Sequence, residues 1–373
     1  MKFTINKEQF ARGLNATSKV VSNKVTDPIL SYLKLTLNDD GLNLIGSNGD
    51  ISISTFIPKF LNDKEIIRDF KNGGILVDGK IITDITRSII DSEISLVVED
   101  EAQLLIENDK LNYQINVIRE QEYRDIDFDK DGCKVVFKAN EFVNVINEIY
   151  FAASNKETRP ILTAVNFESE NDKVIFTATD GIRLARKALV TSSDSHFNIS
   201  VSAKLLLEVV KLISNEEEIE LYINDKKALF VLNSTLISIS LLSGEYPNTR
   251  NIIPKNFLYT LEVNANEFIS TCSNISLLSI ERENIVKLNA GSMEVKISSK
   301  SQQIGDAEGK LSLFRFEGEA FAISFNAEYV IAAIKALKSE DVIISFIGEL
   351  KPFTITAKSN PDLIHLITPV RTY

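Results

Sequence analysis

The sequence predicts an α+β fold of three tandem, similar domains, each with two helices set against antiparallel sheets. Three observations carry this. A helical stretch recurs as INKEQFARGLNATSKVV (residues 5–21), KANEFVNVINEIYFAAS (138–154) and VNANEFISTCSNISLLS (263–279), with Phe10, Phe142 and Phe268 in register. A second recurs as VDGKIITDITRSI from Val77, VSAKLLLEVVKLI from Val201 and FNAEYVIAAIKAL from Phe325. Shorter echoes set PILSYLKLTL from Pro28 beside PILTAVNFES from Pro160, and QEYRDI from Gln121 beside GEYPNT from Gly244. Chance likeness between amphipathic helices does not preserve both order and spacing, so the chain reads as one unit repeated.

The length of 373 residues accommodates two or three domains. The repeat selects three: residues 1–127, 128–253 and 254–373. Hydrophobic residues at 44% and charged residues at 25% match ordinary globular proteins. No apolar run reaches the roughly 18 residues that cross a bilayer, and MKFTINKEQF lacks an apolar signal core. Cys133 and Cys272 fall in different repeats at no metal-binding spacing, so free thiols and a reducing cytoplasm are expected.

In the first repeat, Lys2 to Ile5 reads as a strand and residues 7–21 as a helix, with Phe10, Leu14, Thr17 and Val21 on one side. An extended run starts at Pro28. Asp39-Asp40-Gly41 and Asn48-Gly49 mark turns between the strands that follow. Helix 80–90 has a core stripe of Ile81, Ile82, Ile85 and Ile89, and strands 94–98, 103–106 and 112–118 complete the unit. The middle repeat opens on DFDKDG, where Asp127, Asp129, Asp131 and Gly132 resemble a calcium loop. Its twelfth position is Lys138 instead of a bidentate glutamate, so an acidic turn is the better reading. Helix 139–153, strands 160–168 and 173–179, and helix 202–213 follow. The last repeat carries helices 265–279 and 327–338 and ends in the strand-like LIHLITPVRTY.

Catalytic chemistry is not visible. His196 and His365 stand in different repeats without triad or metal-site neighbours. No phosphate-binding loop, nucleophile elbow or dinucleotide fingerprint occurs. Thr179-Asp180-Gly181 lacks a second carboxylate at matched spacing, and turn chemistry explains it. No catalytic residue, metal or cofactor is therefore expected. What does recur is positive charge: Arg12/Lys19, Lys80/Arg87, Lys204/Lys211 and Lys335/Lys338 on polar helix faces, with Lys24 and Lys156 just after two helices. The net charge of −11 argues against nucleic acid taken alone, yet a basic stripe within an acidic exterior suits loose, sequence-blind contact with a polyanion. A repeat-built protein scaffold with solubilising lysines is the alternative.

The segments MKFTI, Pro28-Ile29-Leu30, TRPIL (158–162), ATDGIRLA (178–185), EYPNTRNIIP (245–254), FNAEYV (325–330) and PVRTY resemble the bacterial DNA polymerase III beta subunits, the sliding clamps, over the whole chain. This resemblance implies a non-catalytic head-to-tail homodimer. Six domains form a ring whose helices line a hole for duplex DNA, tethering the replicative polymerase, the clamp loader and repair proteins. Lining residues would be Arg12, Lys19, Lys24, Lys80, Arg87, Lys156, Lys204, Lys211, Lys335 and Lys338. A peptide groove between the middle and last domains would use Leu162, Thr179, Gly181, Arg183, Leu184, Pro247, Ile252, Leu366, Thr368, Pro369, Val370 and Arg371, with Asn326 and Tyr329 at its edge. Tyr113 and Ile115 would meet Leu277 and Leu278 of a second copy. Ile182, Asn251 and Thr368 depart from the family pattern, which bears on the motif preferred.

Overall fold

The computed structural model describes all residues except 22–26, 101, 108–110, 192–195, 215, 280–283, 302–304 and 372–373. Lys24 thus lies outside the described residues.

Residues 1–127 hold β1 (Lys2–Asn6), α1 (Lys7–Thr17), β2 (Tyr32–Leu37), β3 (Gly41–Ser47), β4 (Ile51–Pro58), β5 (Phe60–Leu61), β6 (Lys64–Glu65), β7 (Ile67–Lys71), β8 (Gly73–Asp78), α2 (Gly79–Ser88), β9 (Glu93–Glu99), β10 (Gln103–Glu107), β11 (Asn112–Asn116) and β12 (Ile118–Arg119). Residues 128–253 hold β13 (Cys133–Lys138), α3 (Ala139–Ile149), β14 (Ala164–Glu170), β15 (Lys173–Thr179), β16 (Arg183–Val190), β17 (Asn198–Ser202), α4 (Ala203–Val210), β18 (Glu218–Ile223), β19 (Lys227–Leu232) and β20 (Thr235–Ser240). Residues 254–373 hold β21 (Tyr259–Asn264), α5 (Ala265–Ser276), β22 (Ile285–Ala290), β23 (Val295–Ser301), β24 (Gly305–Lys310), β25 (Phe314–Glu317), β26 (Phe321–Asn326), α6 (Ala327–Leu337), β27 (Asp341–Phe346), β28 (Phe353–Ala357) and β29 (Asn360–Ile367).

Local chemistry sets these boundaries. Asn6, Asp78, Asn264 and Asn326 cap α1, α2, α5 and α6, each side-chain oxygen accepting from the backbone of the first helical turn. The helices end earlier than their periodicity predicts. Their expected last turns are present as tighter i→i+3 turns: Val21 N to Ser18 O, Ala153 N to Tyr150 O, Leu212 N to Val209 O and Ser279 N to Ser276 O. Pro28 and Pro160 each open a short 3-10 turn (Pro28–Ser31, Pro160–Thr163), not the strand expected there; fixed φ suits a proline to the first helical position. Ile81 was expected in the core and is 46% exposed. Ile82 and Ile89 are buried, and a 3.6-residue period swings Ile81 about 100° off their stripe.

The chain forms two compact units, Met1–Ala139 with Glu208–Leu241, and Asn140–Leu207 with Leu242–Tyr373. The first holds a five-stranded sheet, β11-β10-β9-β1-β7, and a nine-stranded sheet, β12-β8-β2-β3-β4-β20-β19-β18-β13. Phe3, Phe10, Leu14, Leu35, Val77 and Leu96 belong to a single core drawn from both sheets, α1 and α2. Gly46 of β3 lies under α1, where a Cβ would come within 2.5 Å of the Thr17 carbonyl oxygen. The second unit holds a nine-stranded sheet, β17-β14-β15-β16-β29-β28-β27-β21-β25, and a four-stranded sheet, β24-β23-β22-β26. Phe142 of α3 packs edge-on against Phe167 and Phe176, and α5 packs against α6.

The acidic turn holds a protein cation. Lys227 Nζ lies 2.6 Å from Asp127 Oδ1 and 3.4 Å from Asp131 Oδ1, while Asn224 donates to both Asp131 oxygens. Lys227 is buried, so its charge is spent inside the loop.

Candidate functional site: an apolar groove with a polar clasp

Of the expected groove residues, all within the second unit, Thr179 lies on β15, Arg183 and Leu184 on β16, Leu366 on β29 and Tyr329 on α6. The β15–β16 turn is the organising piece. Thr179 Oγ1 donates to the Arg183 carbonyl at 2.6 Å and accepts from Gly181 N at 3.1 Å. Asp180 Oδ1 accepts from the backbone of Ile182 and Arg183, both at 2.9 Å, and its Oδ2 accepts from Arg183 Nε at 3.0 Å. Gly181 sits at φ +92°, a conformation that side chains disfavour. ATDGIR is therefore a self-closed turn with every hydrogen-bonding side chain used to shape it, which answers the alternative reading of Asp180 as a catalytic acid.

Beyond the turn, Arg183 reaches two aromatic rings. Its guanidinium carbon lies 4.4 Å from the centre of the Tyr329 ring and 5.5 Å from that of Phe151. Leu162, Thr179, Leu184 and Leu366 are buried, with Leu184 opposite Thr179 across the β15–β16 pairing and opposite Leu366 across the β16–β29 pairing. The C-terminal segment is fastened at two points: Thr368 N donates to the Ile182 carbonyl at 2.9 Å and Val370 N to the Ser324 carbonyl at 2.7 Å. Thr368, Pro369 and Val370 are half-buried, whereas Pro247 and Arg371 are exposed. Ile182 and Ile252 are apolar side chains that remain 48% and 47% exposed. Asn251 is exposed nearby in sequence.

Sequence reading passed over three supports. Phe151 stacks against Arg183 on one side and His365 on the other, the latter with ring centres 5.3 Å apart. Tyr246, whose GEY echoes the QEY of Tyr123, is half-buried with its hydroxyl out of solvent near Asp180, and burial pushes that hydroxyl's pKa up. The Tyr123 hydroxyl is likewise raised by burial, so the echo marks a repeated tyrosine with a buried hydroxyl. Glu148 of α3 accepts from Lys187 of β16 and from Asn360 at the start of β29, a buried ion pair tying the middle repeat to the last. Only the tyrosine had a signal in the sequence, the recurring Glu-Tyr.

The expected DNA-lining residues are all exposed where described. Arg12 pairs with Glu8 at 2.6 Å, Lys211 with Glu208 at 2.8 Å, and Arg87 donates to Asn15. Lys19, Lys80, Lys156, Lys204, Lys335 and Lys338 make no ion pair among the described residues. Lys19 and Lys211 lie past the ends of α1 and α4, so helical spacing does not align them with Arg12 and Lys204. At the expected joint, Tyr113 and Ile115 lie half-buried on edge strand β11. Leu277, at the end of α5, is 63% exposed, and Leu278 is half-buried.

Family models for the DNA polymerase III beta subunit match its N-terminal domain over residues 1–127, its central domain over 136–248 and its C-terminal domain over 250–371. The chain belongs to this family. A Bacillus subtilis (strain 168) relative named "Beta sliding clamp" is 34% identical over 378 residues, and a Staphylococcus aureus relative of the same name is 31% identical over 376, each alignment covering 100% of both chains. The crystal structure of the Bacillus subtilis DNA polymerase sliding clamp superposes with a TM-score of 0.96 at 32% identity, and a Streptococcus pneumoniae DNA polymerase III beta chain with 0.95 at 31%, both over the whole of each chain. The three-domain α+β clamp fold is thus the fold of this chain. As a member of the beta subunit family it is a DNA sliding clamp, a processivity factor and not an enzyme.

Proposed function

We propose that two copies of this chain close head to tail into a ring around duplex DNA and tether the replicative polymerase, the clamp loader and repair proteins through the groove. The observation that carries this is a pairing rule internal to the chain. The third strand after the first helix is β4, β16 or β24 in the three repeats, and the third after the second helix is β11, β20 or β29. The third strand after a first helix pairs antiparallel with the third strand after the second helix of the next repeat: β4 with β20, and β16 with β29. The same rule assigns β24 of the last repeat to β11 of a first repeat, and both are unpaired sheet edges. A chain cannot satisfy its own last joint if each joint turns the same way, so a second copy supplies it. Joining the four-stranded to the five-stranded sheet makes a third nine-stranded sheet like the two within the chain. Paired edges also remove an exposed template for aggregation.

In this reading the repeats meet near residues 127 and 253, and the ring is sealed by Leu277 and Leu278 of one copy against Tyr113 and Ile115 of the other. The exposed lysines without ion partners, Lys80, Lys156, Lys204 and Lys335 among them, face the duplex. Their contacts are few and sequence-blind, which permits sliding. The ring works in the cytoplasm, where the polymerase is.

Loading onto closed circular DNA and then cutting the circle once tests this. Retention on the circle and loss on linearising is expected, because only a topological link depends on free ends. Equal retention on both forms would reject the ring. Leu277→Ala with Leu278→Ala should shift light-scattering mass from dimer to monomer and abolish retention together; a retained monomer would separate DNA binding from ring closure.

A further inference from the structure

In the nine-stranded sheet of the second unit, two rows of side chains lie next to each other on the face turned away from Phe167 and Phe176. One row is Thr179, Leu184 and Leu366, the floor of the proposed groove. The neighbouring row is Asn166, Thr177, Arg186 and Ile364, set by the registers Asn166–Thr177, Thr177–Arg186 and Arg186–Ile364. Two residues along each strand separate the rows, roughly 7 Å. The segment 245–250 borders both. It encloses with the second row a cavity of about 320 Å³, lined by Glu168, Thr177, Arg186, Glu245, Pro247 and Arg250 among others. Pro247 thus belongs to both the expected groove and this cavity.

The charges in the cavity are unequal in how far they are satisfied. Arg250 lies 2.8 Å from Glu168 and 3.8 Å from Glu170, so these groups neutralise one another. Asn166 spends its amide nitrogen on Asn198 Oδ1 and the Ile199 carbonyl. Glu245 is exposed, and solvent and salt screen a carboxylate there. Arg186 is half-buried and has neither a hydrogen bond nor an ion pair among the described residues. A half-buried guanidinium without an acceptor, one strand-step from an apolar peptide floor, is complementary to a carboxylate. Its planar fork binds such a group with two parallel hydrogen bonds.

We propose that this cavity is a second, polar subsite of the groove, where Arg186 receives the Asp or Glu side chain that flanks the apolar anchors of a bound peptide. The proposal rests on the groove reading and adds a specificity for acidic flanks. It makes the clamp discriminate among partners whose anchors are alike, because the flank reads out at a different row of the sheet.

Fluorescence anisotropy on the full chain tests it with labelled Gln-Leu-Ser-Leu-Phe peptides. These carry Ala-Ala, Asp-Asp or Lys-Lys before the anchor, or the same pairs after it. With wild type, Asp-Asp at one of the two ends should tighten binding about tenfold over Ala-Ala. In Arg186→Ala that ratio should fall to about one, whatever the variant does to the anchor. In Arg186→Glu the preference should reverse toward Lys-Lys. An Asp-Asp advantage of the same size in Arg186→Ala would mean general charge attraction and overturn the subsite, as would no advantage at either end in wild type. If the Ala-Ala peptides fail to bind wild type at all, the groove reading itself fails, and the subsite with it.

Discussion

The guanidinium carbon of Arg183 lies over the Tyr329 ring, 4.4 Å from its centre, while Arg183 Nε donates to Asp180 Oδ2 at 3.0 Å. One residue comes from β16 and the other from α6, so the contact spans the middle and last repeats. In the proposed groove it would form a wall that is aromatic and cationic at once. Cation–π contacts of this kind contribute about 0.5–2 kcal/mol.

Tyr329→Ala should therefore weaken an anchor peptide about tenfold, read by anisotropy, and lower unfolding stability by no more than about 2 kcal/mol. Tyr329→Phe keeps the ring and should stay within about twofold of wild type. A phenylalanine variant as weak as the alanine one would assign the effect to the hydroxyl and reject the stacking account.

His365 gives a pH dependence with a definite sign. Its ring is fully buried on β29 against Phe151, and neither nitrogen has a hydrogen-bond partner among the described residues. Burial pushes its pKa down from 6.5 to about 3. The unfolded chain then binds a proton that the folded chain refuses between those values. Stability is fully present above pH 6.5 and falls as pH drops below it, by about 1.4 kcal/mol per unit, or about 2 kcal/mol at pH 5. His365→Leu should remove that slope between pH 6.5 and 5 and stay within about 1.5 kcal/mol of wild type at pH 7.5. Parallel urea-midpoint profiles for the two proteins would show that the imidazole is not what titrates.

Lys227 makes a third prediction. Its ammonium fills the acidic turn, and side-chain hydrogen bonding holds Asp127, to Lys227, and Asp131, first to Asn224, below the usual carboxylate range. Both carboxylates have depressed folded pKa values, so this pairing supports the fold above the unfolded carboxylate pKa and is lost as pH falls through the folded ones. Millimolar calcium should leave the melting temperature of wild type unchanged, since Lys227 occupies the place a metal would take. Lys227→Met should lower the melting temperature without calcium. A calcium-induced rise in wild type would reinstate the metal reading.

Much was legible in one dimension. Phe10, Phe142 and Phe268 recur in register because each anchors the first helix of a repeat in a core, and burial constrains residue type strongly enough to survive repetition. The asparagine and aspartate caps, the Asn48-Gly49 hairpin and the ATDGIR turn act over three or four residues, so local sequence determines them. The family resemblance supplied candidate groove residues from short motifs that such turns require. Ile81 was misassigned because neighbouring isoleucines on a helix differ by 100°, and composition does not say which one faces inward.

What only the tertiary structure decided are pairings between residues far apart in the chain. β4 meets β20 and β16 meets β29 across repeat boundaries, since strand edges pair wherever the fold brings them together. Lys227 answers Asp127, Glu148 answers Lys187 and Asn360, and Phe151 lies between Arg183 and His365 for the same reason. Arg186 looked like any charged residue on a strand. Its lack of a partner among the described residues emerged only when folding placed Glu168 beside Arg250 and left that guanidinium one strand-step from Leu184 and Leu366. Periodicity records which face of an element is buried; which charge finds which partner depends on distances that the sequence does not contain.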